Sequence, residues 1–253
     1  MKNLITIFAL CIGLLGFSQK AFKNGEHLKF RLSYSSFLTA GYATLDVKND
    51  FLKNKDVFHI VGKGKTTGVI SWFFKVKDRY ESFMNKETLM PYRFIRDINE
   101  GGYIKNKEIY FDHDAKKALV INKKKNSKKV YNTKEGVQDL LSALYFMRNQ
   151  DVSKLKKGDQ LTLNLFFDEE NVPMKLKFLG KETIKTKFGK IKTLKFRPLV
   201  QSGRVFKEEE SVTVWVSDDA NKIPLLIKAS LAVGSLRANL HSYKGLANPI
   251  SFN

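Results

Sequence analysis

The sequence contains almost no cysteine and little histidine. Its 253 residues include one cysteine, Cys11, and four histidines, His27, His59, His113 and His241, none of them paired at metal-ligand spacing. A disulfide framework, a zinc ribbon and a Cys/His metal cluster are therefore excluded. No H-E-x-x-H or G-x-S-x-G motif is present, so we expect no catalytic residues, no cofactor and no metal.

Acidic residues are also scarce relative to basic ones. There are 25 Asp and Glu against 45 Lys and Arg, which gives a formal net charge of +20. Hydrophobic residues make up 43% of the chain and aromatic residues 12%, which is enough for a packed core and excludes wholesale disorder. We interpret the chain as one β-rich domain rather than two small ones.

Long apolar runs are absent except at the N-terminus. After Lys2, the stretch from Leu4 to Phe17 is almost wholly apolar, but it is too short to span a bilayer. Small residues near Ser18 complete the pattern of a secretory signal peptide covering residues 1–18. Cys11 lies inside the apolar stretch, so we reject lipidation. We expect a mature domain of residues 19–253, exported to the periplasm or outside the cell and not membrane-spanning.

Most of the remaining sequence predicts strands. Short runs rich in Val, Ile, Thr, Phe and Tyr alternate with turn residues, which is typical of antiparallel hairpins. The predicted fold class is mainly β: a curved antiparallel sheet, or an open or closed barrel-like meander, packed on one main α-helix. The clearest predicted strands are Phe73 to Met84, Pro91 to Asn99, Tyr103 to Phe111 and Ala118 to Asn122.

The main helix is predicted over Lys134 to Arg148. Apolar residues recur there at spacings of three and four, and Thr133 is a suitable N-cap. On this pattern, Leu140 and Leu144 face the sheet.

Several segments resemble an exported bacterial family known only as domain of unknown function 3108. The segments are Asn24 to Phe30, Ala40 to Ala43, Val137 to Arg148, Val214 to Asp219 and Lys222 to Pro224. The resemblance implies a β-rich envelope protein without an established activity, so it transfers no catalytic residues. The stretch from Trp215 to Pro224 is also similar to a hairpin of periplasmic lipoprotein carriers, in which a curved sheet wraps a helix.

Seven residues within these segments carry the resemblance, and we favour a structural role for them. In a helix wrapped by a sheet, buried polar groups need partners, and a paired Asp139 would hold the helix in place. The two aspartates near the end of the chain are typical of a turn, although they also offer half of a metal site. The seven residues are Gln138, Asp139, Ser142, Arg148, Trp215, Asp218 and Asp219.

Two further segments are candidate binding sites. The most apolar stretch of the mature chain is either buried core or the wall of a cavity for an acyl chain; its residues are Val69, Ile70, Trp72, Phe73 and Phe74. A lysine-rich region without acids is either a solvated hairpin or a patch that binds anionic ligands; its residues are Lys123, Lys124, Lys125, Lys128 and Lys129. Export removes nucleic acid as a partner.

These observations favour a non-enzymatic protein of the cell envelope that binds an apolar or anionic ligand, either lipid or glycan. The alternatives are a scaffold for an outer-membrane partner and an enzyme that acts on an envelope polymer. An apolar cavity above ~300 Å³ favours the carrier, whereas a filled core favours the scaffold.

Overall fold

Fourteen strands form one antiparallel sheet in the computed structural model, which describes residues 20–35, 37–199, 212–231 and 234–251. The predicted signal peptide, residues 1–18, lies outside the described residues. The strands are β1 His27–Tyr34, β2 Leu38–Leu52, β3 Lys55–Thr66, β4 Lys77–Asn85, β5 Pro91–Glu100, β6 Tyr103–Asp112, β7 Lys117–Asn122, β8 Ser127–Asn132, β9 Gln160–Phe167, β10 Glu170–Thr186, β11 Gly189–Leu199, β12 Val212–Ser217, β13 Pro224–Ser230 and β14 Ser235–Lys244. The helices are α1 Ile70–Phe73 and α2 Leu140–Arg148.

The sheet consists of two meanders that meet at β1 and β14. One meander runs from β8 to β1 and the other from β14 to β9, and every neighbouring pair is antiparallel. In the central pair, His27 lies opposite Lys244 and Tyr34 lies opposite Leu236. Strands β8 and β9 form the two ends of the sheet and do not pair with each other, so the sheet is not closed into a barrel.

The predicted meander is confirmed except at its beginning. Strands β5, β6 and β7 agree with the predicted runs to within a residue. The strand predicted from Phe73 is wrong, because β4 begins only at Lys77 and the preceding residues form the one-turn helix α1. Gly68 has a positive φ of 59°, and its carbonyl accepts hydrogen bonds from the backbone N–H and the hydroxyl of Ser71. These bonds turn the chain before an extended strand can start.

Helix α2 is shorter than predicted and has a different N-cap. It has nine residues and is capped by Asp139, so the predicted start at Lys134 and the predicted cap Thr133 are wrong. Gly136 has a positive φ of 62°, which a right-handed helix does not accept. The backbone of Gln138 is bonded to β9, with its N–H 2.8 Å from the carbonyl oxygen of Asn164. This pairing keeps the approach to the helix extended.

The buried face of α2 is rotated from the predicted one. The helix contacts β3, β4 and β9 rather than the sheet as a whole. Leu141 and Tyr145 are buried, whereas Leu140 is 36% exposed and Leu144 only half-buried. Leu141 lies over Gly62 of β3, where a Cβ atom would be 3.4 Å from its side chain. The missing side chain at this position lets the helix approach the sheet closely.

The largest apolar core lies between α2 and strands β2 to β8 and includes Phe22 from the segment before β1. A second core joins β1, β11, β13 and β14 around Leu28 and Ile223. Within the described ranges, no helix is long and apolar enough to cross a membrane.

Candidate functional site

A buried polar cluster surrounds the beginning of α2. One carboxylate oxygen of Asp139 accepts hydrogen bonds from the backbone N–H groups of Leu141 and Ser142, both at 2.8 Å. The other oxygen accepts the hydroxyl proton of Ser82 on β4 at 2.6 Å. The Ser142 hydroxyl accepts the backbone N–H of Asp139, which completes a capping box. The cap therefore also attaches the helix to β4.

The environment of Asp139 disfavours its charged form. Burial raises the pKa of this carboxyl group to about 6, although the hydrogen bonds from Ser82, Ser142 and Leu141 oppose the rise. Gln138, next in the chain, is also buried, and its backbone covers the free edge of β9 through a parallel bridge to Leu165. Together the two residues position the helix and shield an edge strand.

The other end of α2 is held by Arg148. Its guanidinium group forms a bidentate ion pair with Glu26 and also donates to the backbone carbonyls of Ala21 and Asn221. Sequence reasoning did not identify this partner, because Glu26 is 122 residues away. Gln138, Asp139, Ser142 and Arg148 thus lie along one buried surface. The side chains of Asp139, Ser142 and Arg148 and the backbone of Gln138 form hydrogen bonds within the fold, whereas the side-chain oxygen of Gln138 is buried without a partner among the described residues.

The other three resemblance residues lie around the β12–β13 connection. The carboxylate of Asp219 accepts hydrogen bonds from the Ser217 hydroxyl and the backbone N–H groups of Asn221 and Lys222, at 2.7, 2.9 and 3.1 Å. Asp218 forms an ion pair with Lys181 at 2.9 Å. Trp215 is buried, and its indole N–H donates to Glu182. In the part of the chain that the structure describes, no group of three or more metal-ligating side chains is present.

An apolar cavity of about 220 Å³ lies between α2 and strands β9 to β12. The sequence reasoning did not place a site here, although the alternating leucines of β9 and the spacing of Leu140, Leu144 and Met147 on α2 supply part of the lining. The volume is below the ~300 Å³ that favours a carrier of a whole drug-sized ligand, so the cavity can hold only part of a lipid. The remaining lining is also mostly aliphatic: Ala143, Val152, Leu161, Leu165, Met174, Leu176, Phe196, Pro198, Val214 and Val216.

Two cationic side chains complete the cavity lining. Arg148 has its guanidinium group engaged with Glu26, so it contributes mainly its methylene groups. Lys222 is half-buried and forms no salt bridge with a described acid. Hydrogen bonds from Ser153 lower the pKa of exposed Asp151, and the charges of Lys154 and Lys222 add smaller effects in the same direction. Lys222 is therefore the one lining group whose charge is not already paired among the described residues.

The apolar segment that we predicted as core or cavity wall is neither. Trp72 and Phe73 are each 83% exposed, Val69 and Phe74 are exposed, and Ile70 is half-buried in the same turn. None of these residues lines the apolar cavity. The prediction is wrong because α1 projects beyond the end of the sheet, where a run of apolar residues has no facing layer to pack against.

The lysine-rich segment forms the β7–β8 hairpin. Lys123, Lys124 and Lys125 lie in its turn, and Lys128 and Lys129 follow on the edge strand β8; all five are exposed. The expectation that they have no acidic neighbour is wrong for Lys123, whose ammonium group is 3.4 Å from the carboxylate of Glu108.

Three of these lysines, Lys125, Lys128 and Lys129, line a polar cleft of about 1070 Å³. The acidic tip of the β9–β10 hairpin projects into it. Burial opposes ionisation of Asp168, but a hydrogen bond from Lys105 and the charge of Arg96 outweigh burial and lower its pKa. Because Lys105 and Arg96 are already paired with Asp168, the cleft is less available to external anions than its lysine content indicates.

The fold and the buried surface around α2 define a class of β-rich proteins built on one large antiparallel sheet that is not closed into a barrel. The chain belongs to the protein family of unknown function DUF3108, whose model matches residues 29–241. A comparison with curated proteins gives no match.

Three solved structures are similar to the chain, each at 10% sequence identity. A protein of Brucella abortus from the domain of unknown function DUF1849, described as β-barrel-like, has a TM-score of 0.59 over 88% of this chain and 98% of its own, which shows a common fold. A candidate exported protein with a YmcC-like fold from Bacteroides fragilis has a TM-score of 0.32 over 88% and 97%. A candidate lipoprotein from Parabacteroides distasonis has a TM-score of 0.34 over 89% and 99%.

Proposed function

We propose that the chain is an exported, non-enzymatic protein of the cell envelope that binds one acyl chain in the cavity between α2 and strands β9 to β12. The observation that carries the proposal is the lining of this cavity, which is apolar except for Lys222 and the guanidinium group of Arg148. Each methylene group that leaves water for such a lining contributes about 0.8 kcal/mol. The signal-peptide pattern of residues 1–18 supports export.

The size of the cavity sets the class of ligand. A volume of about 220 Å³ accommodates a single chain or its end rather than a whole lipid. Lys222 complements a carboxylate or phosphate at the end of that chain. The proposal includes a carrier-type arrangement in which the sheet curves around α2; the contacts of α2 with β3, β4 and β9 support it.

Displacement of a dansyl-labelled fatty acid from the purified protein tests this function. We expect unlabelled fatty acids to displace the probe more strongly as their chains lengthen, until the cavity is filled. Leu144→Trp, which fills the cavity from α2, should abolish probe binding without loss of thermal stability. Failure of the wild-type protein to bind the probe, or unchanged binding by Leu144→Trp, contradicts the proposal.

A matched pair of lysine variants tests the polar end of the site. Lys222→Gln should weaken binding of a fatty acid but not of the fatty alcohol of equal length, because only the acid carries a charge. Lys228→Gln is the control, since Lys228 lies on the adjacent strand β13 and does not line the cavity. Equal effects of the two substitutions would show that Lys222 does not contact the ligand.

A further inference from the structure

The exposed α1 turn is part of a larger apolar surface. Ten of the thirteen large apolar side chains that are exposed in the described residues lie at four connections between strands. Four of the ten belong to the β3–β4 connection, namely Val69, Trp72, Phe73 and Phe74. The other six lie in pairs at three more connections: Phe37 and Leu38, Tyr103 and Ile104, Leu231 and Leu236. We call these ten residues the apolar rim.

Strand direction puts the four connections at the same end of the sheet. In an antiparallel meander, alternate connections share an end, so the β1–β2, β3–β4 and β5–β6 connections lie together. Strand β14 runs antiparallel to β1, which places the β13–β14 connection beside them. The backbone N–H of Ser35 donates to the carbonyl of Ser235 at 2.7 Å, and that of Thr67 donates to Ala40 at 3.0 Å.

Further contacts extend the apolar rim to the lysine-rich hairpin. The ring of Phe74 lies over Gly101, whose backbone N–H donates to the carbonyl of Lys75 at 2.8 Å. The ammonium group of Lys124 is 3.4 Å from the carbonyl of Ile104. The two segments that the sequence singled out separately, the aromatic turn and the basic hairpin, therefore belong to one end of the molecule.

Cations outnumber acids along this end. Five exposed lysines, which form no salt bridge with a described acid, flank the apolar residues: Lys65, Lys75, Lys77, Lys124 and Lys125. Among the described acids, Asp78 and Glu100 lie nearest the apolar residues and are half-buried. Asp168 and Glu169 also lie at this end, in the cleft that Lys125 lines, but they are paired with Arg96, Lys105 and Lys107. Burial, together with the neighbouring Glu100, raises the pKa of Asp78 to about 6.

We propose that the apolar rim and its flanking lysines dock the protein on the surface of an anionic lipid bilayer. Aromatic side chains that project from a lysine-rich surface are the chemistry of interfacial membrane binding, in which apolar groups enter the headgroup region and ammonium groups pair with lipid phosphates. Large apolar side chains that are gathered at one end of a molecule, rather than scattered singly, indicate an interaction site. This inference is independent of the acyl-chain cavity.

The shape of the rim favours a bilayer over a protein partner. Its residues sit on separate hairpin ends rather than on a flat face or in a groove. Helix α1 satisfies its own backbone, because the N–H groups of Trp72 and Phe74 donate to the carbonyls of Val69 and Ile70 at 3.1 and 2.9 Å. The turn therefore enters the headgroup region without leaving these N–H groups unpaired.

The test uses the mature protein and vesicles of phosphatidylcholine, alone or mixed with phosphatidylglycerol. We expect flotation with the mixed vesicles, weakening as salt rises, and little with phosphatidylcholine alone. Trp72 and Trp215 are the two tryptophans of the chain, and Trp215 is buried. In Trp215→Phe, the emission of Trp72 should shift to the blue on binding and be quenched by brominated lipid. The wild-type flotation assay decides the question if this variant does not fold.

Matched variants distinguish specific binding through the apolar rim from nonspecific adsorption of the protein to vesicles. Trp72→Ser combined with Phe73→Ser should weaken vesicle binding by about tenfold or more. The control, Phe51→Ser, should leave vesicle binding unchanged, because Phe51 is 74% exposed but lies at the opposite end of the sheet. Lys75→Gln with Lys77→Gln should weaken it more than Lys156→Gln with Lys157→Gln, which are exposed near the start of β9. Equal effects within either pair, no binding to mixed vesicles, or binding only to anionic polysaccharide overturns the proposal.

Discussion

Glu26 and Arg148 form a bidentate ion pair that is almost wholly shielded from solvent, with the two carboxylate oxygens 2.6 and 2.7 Å from the two terminal guanidinium nitrogens. The pair connects the segment before β1 to the end of α2. Removing one partner of such a pair leaves a buried charge without compensation, which costs far more than losing an exposed pair.

Arg148→Met should therefore lower the free energy of unfolding by about 3–5 kcal/mol, because it leaves the carboxylate of Glu26 buried and unpaired. Guanidinium denaturation measures the change. The control is Lys116→Met, which breaks the exposed pair between Lys116 and Glu135 at 3.1 Å and should cost less than about 1 kcal/mol. Adding Glu26→Leu to Arg148→Met should restore part of the loss. Similar costs for the two single variants would show that burial does not strengthen the pair.

The buried carboxyl group of Asp139 predicts a pH effect of opposite sign to that of most acids. Its pKa is raised from 3.8 to about 6 in the folded protein, so its contribution to stability is largest below pH 3.8 and is lost as the pH rises through about 6. Asp139→Asn keeps an oxygen for the two backbone N–H groups and has no proton to lose. Relative to wild type, this variant should gain up to about 3 kcal/mol between pH 4 and pH 7.

Unfolding free energies of Asp139→Asn and wild type at several pH values measure this gain. Asp114→Asn is the control, because Asp114 is an exposed turn residue and should show no comparable trend. A difference between Asp139→Asn and wild type that stays constant, or that falls with rising pH, contradicts the burial argument.

Neighbouring leucines of α2 should respond differently to a charge. Leu141→Asp places a carboxylate against Gly62 in the main core and should cost several kcal/mol, enough to prevent folding. Leu140→Asp should cost about 1 kcal/mol or less, because Leu140 is partly exposed at the cavity. It should instead weaken acyl-chain binding. Circular dichroism and the displacement assay distinguish the two outcomes. If both variants unfold, Leu140 faces the core, as the sequence predicted.

The sequence predicted the strands better than it predicted the helix. Strands β5, β6 and β7 follow from local alternation and from turn residues such as Gly101 and Gly102, whose φ angles are 56° and 91°. The start of α2 depends instead on hydrogen bonds between Gln138 and β9, which are tertiary contacts. Helical periodicity alone predicted that the face with Leu140 is buried, whereas the buried face contains Leu141. The pattern does not distinguish the two faces, because both positions are leucine.

The candidate sites show the same limit. An apolar run normally indicates burial, and only the position of α1 beyond the end of the sheet exposes Trp72 and Phe73. The cavity residues lie on α2 and on strands from β9 to β12, so no short motif contains them. Glu26 and Arg148 are visible as single residues, but their pairing depends on how the segment before β1 is placed against the end of α2.

The pairing of β1 with β14 also determines when the protein can fold. His27 pairs with Lys244, so the centre of the sheet can form only after nearly the entire chain has been synthesised. Until then each meander has an open central edge, and a chain that ends before Ser235 keeps two such edges exposed to aggregation. A circular permutant in which a short loop joins the end of β14 to the start of β1 should fold faster, because it converts the most distant pairing into a hairpin.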